Sequence, residues 1–211
     1  MVLGNYLGGT ASLDVSNSYK LYVTPPPLFF LIWAVIFAFK GLVQLYNLWK
    51  NKWSLETHVY IGINSLLLIV WVVVFGVGTE AAIYITFFVE AFMVGLTFKA
   101  WHELGKAPKT TFFIYASRNV YAFYLGWIGS AVHLNFGIII KFFWGANYGT
   151  QMVIFWIMAP AIAFAGLMFA YVTEKKKGVK SYISLFISLT WAIVGAAITC
   201  SQCASDPSSC P

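Results

Sequence analysis

Hydrophobic positions fall into six long runs separated by charges and turn residues, at 28–48, 59–78, 81–98, 120–143, 152–172 and 182–200. Within them the apolar residues do not alternate. The stretch from Leu66 to Gly76 reads LLLIVWVVVFG, whereas a barrel strand would switch polarity at every residue. Each run has the roughly 20 residues that a helix needs to cross a bilayer core of about 30 Å. Only helices and closed barrels satisfy their backbone in lipid. The pattern therefore predicts an all-α membrane protein, a bundle of six transmembrane helices.

The punctuation sets the organisation. Thr24-Pro25-Pro26-Pro27 places proline where the first helix begins, a position at which a missing N–H costs nothing. Residues 76–80 make a tight link between helices two and three, and His102 to Asn119 reads as a longer polar connection. Residues 145–149 and 174–178 separate the remaining helices. This divides the chain into a polar N-terminal segment (1–26), a membrane domain (27–201) and a short cysteine-containing tail (202–211). No basic segment followed by an apolar stretch precedes Pro25, so helix one is expected to act as its own insertion signal.

Charge orients the bundle. Lys50 and Lys52, then Lys106, Lys109 and Arg118, then Lys175, Lys176, Lys177 and Lys180 occupy alternate connections, with only Lys20 and Lys141 at the other end. Six crossings put all the basic loops on one side, as the positive-inside rule requires, and both termini on the side opposite the Lys-rich loops. Composition agrees with a multi-pass protein. Of 211 residues, 60 % are hydrophobic and 9 % charged, and the mean hydropathy is +0.78, far from a soluble domain or a disordered chain. Although the net charge is +6, this hydropathy excludes a nucleic-acid-coating chain and makes lipids the expected immediate partners.

Few residues promise chemistry. Cys200, Cys203 and Cys210 form a CxxC plus one, too few ligands for a structural zinc site and without the βαβ setting of a thioredoxin motif. A local disulfide or free thiols is the expectation, with no metal. His58 and His102 fall at helix ends and His133 lies deep in helix four, so no buried pair is placed to hold haem. No catalytic residue and no cofactor is predicted. Lys40 and Glu90 are different, because an ionisable group inside a span needs a partner or a cavity. Lys40 lies about 18 Å along its helix and Glu90 about 14 Å along a helix entering from the same side. They are expected to face the interior and approach one another as an intramembrane charge pair.

Nine Trp, twelve Tyr and nineteen Phe exceed what two interfacial belts require. Their order carries a resemblance. Phe29, Trp33, Ile36 with Phe37, and Gly41 keep the spacing of a helix in the TspO/MBR family, the translocator or tryptophan-rich sensory proteins. Leu31 and Lys40 stand where that motif has proline and methionine. Further on, Tyr124-Leu125-Gly126-Trp127, then Ala131, then Leu134-Asn135 are similar to the family's last helix, with Phe123 in place of its proline. The resemblance spans residues 25–143, a TspO-like core in helices one to four followed by two added helices.

It implies non-catalytic binding of a flat hydrophobic ligand, a tetrapyrrole (porphyrin) or sterol, by Phe29, Trp33, Tyr124, Trp127, Ala131 and Asn135. Helices one and four run oppositely, so Trp33, Trp127 and Asn135 are expected to border one cavity in the non-basic half. The competing expectation is a structural accessory subunit of a large membrane protein complex such as a respiratory assembly, with mitochondria among the candidate locations. An ion-coupled transporter, resting on Lys40 and Glu90 alone, is third.

Overall fold

The computed structural model describes residues 14–16, 18–21, 23–107, 111–175 and 181–205. A 3-10 turn, Pro27–Leu31, leads into α1 (Ile32–Lys50). There follow α2 (Leu55–Phe75), α3 (Glu80–Leu104) and α4 (Phe112–Ile138), which runs on through a π turn, Ile139–Phe143. Next come α5 (Tyr148–Val153), a second π turn (Ile154–Met158), α6 (Ala159–Lys175) and α7 (Tyr182–Ser205). No strand occurs among the described residues.

Among the described residues, five segments are long and apolar enough to cross a membrane: Leu28–Lys50, Leu55–Phe75, Glu80–Leu104, Phe112–Phe143 and Tyr182–Gln202. The run predicted at 152–172 is helical but divided. Its longest regular piece, α6, has 17 residues, about 25 Å against a hydrocarbon core of about 30 Å. The break has a local cause. Pro160 offers no N–H to the preceding turn, and the chain passes through a π turn immediately before it.

Helix starts follow side-chain chemistry. Ser54, Thr79, Thr111 and Asn147 each accept a hydrogen bond from the backbone N–H three residues on, closing the first turns of α2, α3, α4 and α5. The cap at Thr111 changes the expected layout. The polar stretch 102–119 is not a long loop, because α4 starts at Phe112 and carries Ser117 and Arg118 as buried residues. The Arg118 guanidinium stacks 5.4 Å from the Trp101 ring of α3, a setting that a planar cation tolerates.

The corner between α1 and α2 is held by one side chain. Asn47 Oδ1 accepts from the backbone N–H groups of Lys52 and Trp53. Its amide donates to His58 Nε2, while His58 Nδ1–H donates to the Ser54 carbonyl. Both imidazole nitrogens are thereby engaged in turn structure.

α4 is the hub. It packs against α1, α3 and α7, while α2 packs on α3 and α6 on α7. Its approach to α7 is close at Gly126, where any Cβ would meet Ser188 Oγ and the Leu185 carbonyl. α7 is stitched to the start of the chain as well. The Trp191 indole N–H donates to the Phe29 carbonyl at 3.2 Å, and the Thr199 hydroxyl to the Thr24 carbonyl at 2.7 Å. Leu21 and Val23 are buried in the same region, so the described part of the N-terminal segment belongs to the packed structure. α7 continues to Ser205, past the point where the tail is predicted to begin. Cys200 is half-buried near its end. The Cys203 side chain, Cys210, and the loop lysines Lys109, Lys176, Lys177 and Lys180 lie outside the described residues.

Candidate functional site

The six residues implied by the TspO/MBR resemblance do not surround one cavity. Trp33 packs with its ring centroid 5.8 Å from Trp71, 5.9 Å from Trp127 and 6.4 Å from Tyr124. Phe30 closes on Trp127 at 6.2 Å. Tyr124 and Trp127 are fully buried, so the expected pocket between helices one and four is filled by its own aromatic walls. Edge and tilted ring contacts of this kind hold a core together. Phe29 points elsewhere, against Trp191 of α7 at 4.8 Å. Ala131 is half-buried, and Asn135 is committed to Glu90.

Lys40 and Glu90 both face the interior, with 4 % and 2 % of their surface exposed, but they do not pair. Each has a nearer partner. The Lys40 ammonium donates to Asn64 Oδ1 at 3.3 Å and lies over the Tyr124 ring, with Tyr121 beyond it. Asn64 is anchored in turn, its amide donating to the Met93 carbonyl and to Thr97 Oγ1. Glu90 Oε2 accepts from the Asn135 amide at 2.6 Å. Asn135 is eleven residues beyond Tyr124, about 16 Å along α4, so the two charges are drawn toward different levels of the same helix. Trp71 approaches the Glu90 carboxylate without reaching hydrogen-bond geometry. Its indole N–H, that of Trp127 and the Tyr124 hydroxyl are buried without hydrogen-bond partners among the described residues.

The space missing from the aromatic core opens on the other face of α4. A cavity of about 510 Å³ lies between α3, α4, α6 and α7, within the range of small-molecule sites. From α4 it is lined by Ala122, Leu125, Gly126, Gly129, Ser130, His133 and Leu134, with Phe98 and Trp101, Phe155 and Trp156, and Leu185 and Leu189 opposite. Its walls are almost wholly apolar. Gly129 faces open space, with nothing within reach of an added Cβ. No Lys, Arg, Asp or Glu is among the described lining residues. Polar groups are few. Ser130 Oγ–H donates to the Gly126 carbonyl at 3.0 Å, and Trp101 Nε1–H to Ser181 Oγ at 2.8 Å. His133 Nδ1 lies 2.7 Å from the Gly129 carbonyl.

A sequence signal for this face existed. Ala122, Gly126, Gly129 and His133 recur at helical spacing and are small or polar. They lie opposite the Tyr124 and Trp127 side that the motif singles out. Among the described residues, no group of three or more His, Cys, Asp and Glu is placed to hold a metal ion.

No curated protein matches the chain. No solved structure matches it either. A family model described as TSPO-like protein matches residues 1–206, reaching past the 25–143 stretch in which the motifs are legible and taking in α5, α6 and α7. Of those helices, α6 and α7 wall the cavity and α7 is stitched to the start of the chain; all three fall within the matched stretch. The chain belongs to the TSPO-like protein family.

Proposed function

We propose that this multi-pass protein binds a hydrophobic ligand of the tetrapyrrole or sterol kind, without catalysis, in the cavity between α3, α4, α6 and α7. TSPO-like proteins are generally non-catalytic binding proteins. The observation that carries the reading is the cavity itself, walled by four helices, apolar, and touched by a few polar groups. No nucleophile paired with a base is among the described lining residues, and in this reading function consists of uptake and release. In this reading residues 148–175 form a sixth crossing, kinked at the π turn and Pro160, as membrane helices tolerate when neighbours cover the break. Both termini then lie opposite the Lys50, Lys52 and Lys106 end.

The filled space around Trp33, Tyr124 and Trp127 supports a second reading, an accessory subunit in a larger membrane assembly whose aromatics serve packing alone. One experiment separates them. Purified protein in mild detergent is titrated with tritiated cholesterol and with protoporphyrin, alongside Gly129→Phe, which fills the cavity. Saturable binding of either ligand that is lost in Gly129→Phe supports the binding protein. Absence of binding, with co-migration in a large complex, gives the subunit.

A further inference from the structure

We propose that His133 is the specificity-determining residue of this cavity, accepting through Nε2 the single hydroxyl hydrogen of a neutral lipid alcohol. This rests on the binding function proposed above and names its ligand class.

The hydrogen-bond inventory leads there. The Gly129 carbonyl can only accept, so the short contact to His133 Nδ1 requires the proton on Nδ1, and in the neutral imidazole that makes Nε2 the lone-pair acceptor. No residue takes that lone pair among the described ones. Ser130 has spent its hydrogen on the Gly126 carbonyl, and the Trp101 N–H on Ser181. Around His133 the wall offers acceptors and wants one donor. An alcohol supplies one donor. A carboxylate supplies none, and without Lys or Arg in the described lining it would be desolvated with no compensating charge. Shape agrees. The lining of α4 runs from Ala122 to Leu134, about 18 Å of helix, with His133 near one end and apolar wall along the rest. That suits an elongated ligand with its polar group at one tip. A tetrapyrrole with two carboxylates finds neither cations for its acids nor a second imidazole opposite His133 among the described lining residues.

The test compares tritiated cholesterol, its 3-methyl ether and hemin on the purified full chain. The ether keeps the body and removes the donor. Wild-type protein is expected to bind the alcohol about fivefold to tenfold more tightly than the ether, the worth of one buried hydrogen bond. His133→Phe should bring the alcohol down to the ether's affinity while moving the ether less than about twofold. His133→Gln, which restores an acceptor, should recover part of the preference, and Ser130→Ala should keep it. Equal affinity of alcohol and ether in wild type overturns the role of His133 while leaving a binding cavity in place. Hemin binding more tightly than either, with a Soret band lost in His133→Phe, overturns it in favour of a metalloporphyrin site. If no ligand binds, the underlying binding function falls with it.

Discussion

The Lys40 ammonium lies 3.7 Å from the centroid of the Tyr124 ring, so an intramembrane cation is met by a π face and one amide carbonyl where a carboxylate is the obvious partner. Attraction of this kind grows as water is excluded. It leaves Lys40 dependent on Asn64, the acceptor of its hydrogen bond.

Replacing Asn64 by Leu removes that acceptor and also the amide that ties α2 to the Met93 carbonyl. A loss of about 2–3 kcal/mol is expected, the worth of a hydrogen bond to a charged group. Lys40→Met removes the charge and keeps the volume, and should be neutral or stabilising. Thermal unfolding in detergent reads both. A Lys40→Met protein that melts well below wild type would show that the π faces hold the cation more strongly than this geometry implies.

Separate partners for the two charges make a sharp statement about coupling. A double-mutant cycle between Lys40→Met and Glu90→Gln should give an interaction energy under about 0.5 kcal/mol, as for sites that share no contact. The cycle between Glu90→Gln and Asn135→Leu should exceed about 1 kcal/mol, because those side chains touch at 2.6 Å. The reverse ranking would restore the direct charge pair.

Two glycines of α4, three residues apart, should respond in opposite ways to Ala. Gly126→Ala drives a methyl onto Ser188 and the Leu185 backbone, an overpacking expected to cost about 1–3 kcal/mol. Gly129→Ala projects into open space and should gain about 0.5–1 kcal/mol from helix propensity. Matching melting temperatures for the two variants would mean that α4 and α7 are not in contact at this point.

Sidedness checks the six-crossing topology. Single cysteines placed at Lys52 and Lys106 should react with a membrane-impermeant thiol reagent from one face, and a cysteine at Lys20 from the other, in a chain whose native cysteines are replaced by Ser. A cysteine restored at Cys203 should label with Lys20. Labelling of Cys203 with Lys52 instead would reduce the crossings to five.

Much of the scaffold was legible because its signals are local. The runs at 28–48, 59–78, 81–98 and 182–200 needed only hydropathy and punctuation, while α2 and α3 begin four residues and one residue earlier, where Ser54 and Thr79 cap their first turns. The start of α4 was missed because Arg118 reads as a loop charge until Trp101 of another helix covers it. The division at Ile154–Met158 was missed since a π turn leaves an uninterrupted apolar run. The site was harder. The motif residues Trp33, Tyr124 and Trp127 do converge, as their shared faces imply, yet whether converging rings enclose a space or fill it depends on Trp71 and Phe30 arriving from other segments. Lys40 and Glu90 are both buried. Their partners were not foreseeable from depth, which ranks candidate neighbours without fixing the azimuth of each side chain.

The cavity's position on α4 decides which of the protein's chromophores can sense an occupant. Trp101 and Trp156 stand in its wall, whereas Trp33, Trp71 and Trp127 are clustered behind the helix, ring against ring. A guest in the cavity therefore touches those two indoles, with α4 standing between it and the Trp33, Trp71 and Trp127 cluster. Emission from this chain accordingly divides into a responsive fraction and a silent one, and a protein keeping only Trp101 and Trp156 would report occupancy against a dark background.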